Sequence, residues 1–305
     1  MVHRQDEPGR ESRAAKSAAG IQKAVCGSIA GSNVVSRERT NSWRALVPRE
    51  HGTWAMWILP FVLGAVTAGR PSAFTALMFG ACLLAFAART ALGTAVRFRA
   101  RNRELSNRFI AVGFVEILAM FGLLSPILLT GNYFIVNIGL CAAALFLADL
   151  WWIKMRFERN VFIELLGVAG FALAAPAAYV VSNGEWRAEA FVVWLVSFLF
   201  FSGSVFLVKL RLRRLSPIRR ADNRGSQVAG WQAVGYVIVT FGASLWLSLS
   251  GYASLWLLAA YVPWMAYILK VVFDRGRCNI YRLGWRLVLH SIFFTFIVAF
   301  LLAAK

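Results

Sequence analysis

Acidic side chains are scarce in this chain, with 14 Asp plus Glu against 33 Lys plus Arg in 305 residues. Charge of either sign is thin, 15% of residues, where soluble domains carry about 25%. A solvated surface of ordinary extent cannot be built from so little charge. The 59% of hydrophobic residues, against about 45–50% in soluble domains, makes lipid the expected solvent. The basic excess does not indicate nucleic acid. Lys and Arg fall between long apolar runs and form neither a basic helix nor an aromatic-interleaved basic sheet of a soluble domain.

Cysteine and histidine are sparse too. Cys26, Cys82, Cys141 and Cys278 include no Cys-x-x-Cys pair and no His at zinc-site spacing, so they read as small buried hydrophobes. The sequence holds no Gly-rich phosphate loop ending in Gly-Lys-Ser/Thr, no dinucleotide fingerprint, no His-Glu-x-x-His and no Gly-x-Ser-x-Gly elbow. Two widely separated histidines are weak grounds for haem. No metal and no cofactor is expected.

What is present is a series of apolar runs. A bilayer-crossing helix needs about 20 predominantly apolar residues. Nine such spans are expected, over 52–69, 72–93, 109–129, 132–153, 161–182, 190–209, 228–248, 251–272 and 286–304. Residues 1–45, rich in Arg, Ser, Ala and Gly, lack a run long enough for a signal-peptide core and read as a disordered basic tail. Residues 46–305 form an all-α transmembrane bundle, with turns such as "GRPS", "TGN" and "LSGY" closing tight hairpins.

Lys and Arg concentrate in alternate loops, after spans two, four, six and eight, whereas the opposite loops hold only Arg70 and Arg187. That bias puts the N-terminus in the cytoplasm and the C-terminus outside, in the inner (plasma) membrane of a bacterium. An odd span count agrees with it.

Ionisable groups inside a span are costly and usually face a protein interior or a wet cavity. Six of them fall in the cytoplasmic half: His51, Arg89, Glu116, Asp149, Glu164 and His290, with Glu50 directly before His51. Together they are what a polar cavity open to the cytoplasm requires. Its expected occupant is an amphipathic anionic ligand, such as an anionic lipid or an isoprenoid phosphate.

Each residue has a plainer reading that stays open. Glu50 and His51 line the cavity mouth or form a snorkelling pair that caps the helix. Pro60 removes a hydrogen bond and kinks span one, and Trp54 and Trp57 are interfacial anchors. Glu116 is too deep to snorkel, so it has a functional role or an obligatory ion pair, with Arg89 the natural partner. Asp149 is an interfacial carboxylate or a cavity wall. Glu164 pairs with an inner-loop Arg or joins the cavity, on a span whose Gly167, Gly170 and Ala174 allow close helix approach. His290 is a hydrogen-bonded core histidine or a site residue. The arginines at 97–108 and 209–224 set orientation, or some of them grip a phosphate.

The stretches "PREHGTWAMWILPFVLG", "IELLGVAGFALAAPAAY", "FSGSVFLVKLR" and "LGWRLVLHSIFF" resemble the YwiC-like integral membrane proteins of bacteria, over roughly residues 47–304. That resemblance implies the architecture and carries no biochemical activity. Nine spans with polar loops after the second and sixth also look like the UbiA superfamily of membrane prenyltransferases. Those enzymes hold Mg2+ on Asp-rich motifs in these loops, but "GTAVRFRARNREL" has no Asp and "RLRRLSPIRRADNRG" only Asp222. A UbiA-like transferase would therefore need metal-independent chemistry, with an arginine clamp on the leaving group and His51 or Glu116 as acid or base. A proton-coupled transporter is the third alternative.

Overall fold

The computed structural model describes residues 51–155, 160–215, 223–274 and 280–303, and they are helical with no strand among them. The helices are α1 His51–Ala68, α2 Ala73–Phe98, α3 Arg103–Leu128, α4 Tyr133–Lys154, α5 Val161–Ala172, α6 Ala174–Asn183, α7 Ala188–Leu215, α8 Asn223–Leu249, α9 Trp256–Phe273 and α10 Ile280–Ala303. In lipid every backbone amide must be satisfied within its own segment, which leaves the helix as the available form for such runs. Eight helical stretches are long and apolar enough to cross a membrane, α5 and α6 counting as one, and α1 is a shorter apolar helix. The chain is a multi-pass membrane protein.

The turns divide into two kinds. At one face, Gly69, Gly131, Gly184 and Gly251 take φ of 70°, 74°, 83° and 75°. Each ends or follows a helix in the left-handed conformation that glycine adopts without steric cost. The opposite face carries the basic loops, and among the described residues it has no positive-φ glycine. The helices run past the expected spans there. α2 ends at Phe98 and α3 starts at Arg103, so most of "GTAVRFRARNREL" is helical and only Arg99–Asn102 turns. Asn102 accepts from the Leu105 amide at 3.0 Å and starts α3. Arg is a good helix former, which extends the helix where apolar content stops.

The fifth span is broken. Leu173 separates α5 from α6 inside one 23-residue apolar stretch. Pro176 supplies the cause, since it has no N–H for the Ala172 carbonyl four residues earlier and its ring presses on it. Pro60, by contrast, sits within an unbroken α1.

α7 is the centre of the bundle and α4 its edge: 61% of the apolar window of α7 is buried against 6% for α4. α1 packs on α6, α7 and α10. Its Gly64 lies against the Ala175 backbone, so that a Cβ would stand 2.8 Å from the Ala175 carbonyl carbon. The close approach expected at Gly167 and Gly170 is absent. A Cβ on Gly167 meets nothing within 4 Å, and one on Gly170 meets Leu145 only at 3.8 Å. Small residues permit contact; the helix opposite decides where it happens. Thr75 and Ser182 share a buried hydroxyl hydrogen bond of 2.8 Å that ties α2 to α6. Of the described cysteines, Cys82 is half-buried, but Cys141 is exposed on α4, because α4 turns most of its surface away from the bundle.

Candidate functional site: paired charges at the basic end of the bundle

Arg89 on α2 reaches across to α4, where its Nη2 lies 2.9 Å from Asp149 Oδ2. Its guanidinium carbon also stands 5.1 Å from the centre of the Phe171 ring on α5, within cation–π range. The expected partner, Glu116, is not in this pair. Arg89 and Glu116 sit on adjacent antiparallel helices, but Asp149 from a third helix takes the guanidinium.

Glu164, near the start of α5, pairs with Lys209 of α7 at 3.3 Å. The partner is thus a lysine on the helix flank rather than a loop arginine. Glu164 and Phe171 are seven residues apart and so share one face of α5. The two ion pairs together bind α2 to α4 and α5 to α7.

Glu116 stands apart. It lies one turn beyond Gly113, on the same side of α3. A Cβ on Gly113 would sit 2.8 Å from Leu92 Cγ on α2, so that side faces α2. Glu116 Oε2 is buried and makes no hydrogen bond. Because α3 begins at Arg103, Glu116 is about 20 Å along the helix at 1.5 Å per residue.

His290 is held by α9 and by its own helix. Its Nδ1 donates to the Arg286 carbonyl at 2.7 Å. Its ring stacks on Tyr267 at 4.9 Å and lies 5.9 Å from Trp264. Glu50 is outside the described residues, and of His51 the backbone alone is described, as the first residue of α1.

Aromatic residues complete the wall beside Arg89. Phe171 lies 5.7 Å from Phe86, which lies 5.1 Å from Trp54 and 6.0 Å from Trp57. Trp57 is 2% exposed, so it is a core side chain and not an interfacial anchor. The i, i+3 spacing of Trp54 and Trp57 marked a face correctly; what that face met depended on α2 and α5.

The second arginine cluster is engaged by backbone. Arg214 Nη1 donates to the Val271 and Asp274 carbonyls, both at 2.8 Å, and its Nη2 to Val272 at 2.7 Å. That guanidinium closes the carbonyl end of α9, where a cation also meets the negative end of the helix dipole. Arg213 donates to the Gly225 carbonyl at 2.7 Å, and buried Arg211 lies 3.4 Å from Asp274 Oδ2. These bonds fasten α7 to its neighbours and give an arginine clamp on a leaving group no support. Residues 216–222, with the remaining arginines of the loop and Asp222, lie outside the described residues. In the first cluster, Arg108 pairs with Glu104 at 2.7 Å on the exposed side of α3.

A helical bundle with apolar crossings and ion-paired charges gathered toward one end defines a polytopic integral membrane protein. A family model described as YwiC-like protein matches residues 47–179. The chain is 26% identical over 221 residues, 72% of its length and 83% of the relative's, to a Bacillus subtilis (strain 168) protein named "Uncharacterized protein YwiC". It is 24% identical over 170 residues, 56% of its length and 68% of the relative's, to an "Uncharacterized protein" of Haemophilus influenzae. The likeness to YwiC-like proteins thus lies over the first half of the bundle in the family model and extends further in the Bacillus relative. No solved structure matches the chain. The stretch matched by the family model contains Arg89, Glu116, Asp149 and Glu164 together with α1, and ends before Lys209 and His290.

Proposed function

We propose that this protein sits in the bacterial inner membrane with its basic loops in the cytoplasm, and holds an amphipathic anionic ligand in a polar cavity at that end. The loop asymmetry supports the orientation, with basic residues in alternate loops and only Arg70 and Arg187 opposite. The observation that carries the ligand class is the setting of Arg89. A cation stands at the border of an aromatic wall of Phe171, Phe86 and Trp54. A lipid phosphate or isoprenoid phosphate presents the same two features, a charged head on an apolar chain. The head would compete with Asp149 for the guanidinium, which offers phosphate a fork of parallel donors, while the chain lies along the rings.

Native mass spectrometry tests this reading on the wild type beside Arg89→Gln, Glu116→Gln and His51→Ala, each incubated with a polyprenyl phosphate, phosphatidic acid or neutral diacylglycerol. Retention of the phosphates by wild type, with loss in Arg89→Gln, is the expected result. Equal retention of anionic and neutral lipids by all four proteins would remove the site.

Glu116 favours a second reading, proton-coupled transport. A buried carboxylate oxygen without a partner is the kind of group that takes up and releases a proton inside a membrane. Reconstituted vesicles loaded with a pH-sensitive dye separate the two: proton movement lost in Glu116→Gln supports transport, and vesicles that stay inert argue against it.

A further inference from the structure

Away from the paired charges, α7, α8 and α9 enclose a second polar group that contains no charged side chain. Tyr236, Thr240 and Ser244 recur every four residues on α8 and so form one stripe. They are 9%, 1% and 0% exposed. From α9, Tyr261 and Trp264 are buried against the same region. Gly203 of α7 makes room for two of these rings, since a Cβ there would stand 2.8 Å from Trp264 Nε1 and 2.9 Å from Tyr236 Cε1. The Tyr261 hydroxyl donates to the Val196 carbonyl at 2.8 Å.

The other four polar groups are unmet. Tyr236 OH, Thr240 Oγ1, Ser244 Oγ and Trp264 Nε1 are buried and make no formed hydrogen bond. The Tyr236 hydroxyl lies near Thr240 and the Gly203 backbone, and the Tyr261 hydroxyl near Ser244, but none of these approaches closes into a hydrogen bond for Tyr236, Thr240 or Ser244. The contrast with other hydroxyls of the same bundle is instructive. Thr90, Thr94, Ser248 and Ser291 each donate to the carbonyl four residues back, at 2.7–3.0 Å. That local solution is open to any Ser or Thr on a helix, and Thr240 and Ser244 do not take it. Four unmet polar groups in a medium of low dielectric would consume a sizeable share of a protein's net stability.

We propose that this seam is a second binding site whose ligand is water. The four unmet groups are all uncharged, which selects a neutral ligand, and the mix of one donor-only group with three hydroxyls needs a partner that both accepts and donates. Water does both, and buried waters typically satisfy about three otherwise unmet polar groups each. The seam leads toward Trp264, whose ring lies 5.9 Å from His290. It stands on different residues from the anionic-ligand reading and survives or fails without it.

Radiolytic hydroxyl-radical labelling tests the proposal on the full chain in detergent, in water enriched with oxygen-18, followed by peptide mass spectrometry. Radicals form from water at the site, so buried aromatics beside bound water are labelled and dry ones are not. Tyr236 and Trp264 are expected to label several-fold faster than Phe200 and Phe294, which are 0% and 4% exposed. Thr240→Val should lower that labelling several-fold, and Thr240→Ser should restore it. Labelling of Tyr236 and Trp264 no faster than Phe200 in the wild type would overturn the proposal, whatever the variants do.

Discussion

The guanidinium of Arg89 stands 2.9 Å from the Asp149 carboxylate and 5.1 Å from the centre of the Phe171 ring. One side chain thereby ties α2 to α5 and to α4, the least buried of the membrane-length helices. Fully buried pairs cost about 3–5 kcal/mol when one partner is removed. Arg89 and Asp149 keep 32% and 15% side-chain exposure, which reduces that to about 1–3 kcal/mol. Asp149→Asn and Arg89→Gln are each expected to lower the Tm in detergent, and the double variant to lose less than the sum of the two. Additive losses would show that the pair is not coupled.

Glu116 should behave in the opposite sense to Asp149. Its buried Oε2 has no partner, so replacing the carboxylate by an amide of the same shape removes a desolvated charge and breaks no ion pair. The Tm of Glu116→Gln is expected to equal or exceed wild type in ligand-free protein, while Asp149→Asn falls below it. A Tm for Glu116→Gln as low as that of Asp149→Asn would reveal an ionic partner for Glu116.

Gly64→Ala forces a methyl against the Ala175 backbone, which a side-chain rotation cannot relieve. Overpacking of this kind costs about 1–3 kcal/mol. Gly167→Ala, whose Cβ meets nothing within 4 Å, is the control and should be neutral or slightly stabilising, since alanine is the better helix former. Thermal unfolding of both variants under identical detergent conditions checks the contrast.

Arg214→Ala removes the donors to the Val271, Val272 and Asp274 carbonyls. Amide exchange is expected to rise over the last turn of α9, Lys270–Asp274, with little change in α1. Arg214→Lys should recover only part of the protection, because an ammonium cannot span several carbonyls as a planar fork does. Unchanged exchange in Arg214→Ala would mean that α9 ends firmly without it.

Orientation has a direct check. In protein freed of its native cysteines, Arg70→Cys and Arg101→Cys place thiols on opposite faces, in the α1–α2 and α2–α3 turns. A membrane-impermeant maleimide should label position 70 in intact cells and position 101 only after permeabilisation. The reverse pattern would invert the bundle.

The sequence by itself determined the class of protein and the arrangement of its crossings along the chain. Long apolar runs must become helices in lipid, and the turns declare themselves through Gly, Pro and Asn; Gly69, Gly131, Gly184 and Gly251 all carry the positive φ that such turns need. These are local properties, set by a residue and its near neighbours. The tertiary structure alone decided which residues meet. Arg89 chose Asp149 over Glu116, Glu164 found Lys209, Trp57 turned into an aromatic core, and close helix approach fell at Gly64 rather than Gly167. Tyr236, Thr240 and Ser244 stand four residues apart in the sequence, but uncharged hydroxyls within an apolar run do not declare whether a neighbouring helix buries them. Helix periodicity puts a residue on a face, but the identity of the helix that covers the face is a long-range property. In a bundle where nearly every surface is apolar, hydropathy does not distinguish one neighbour from another.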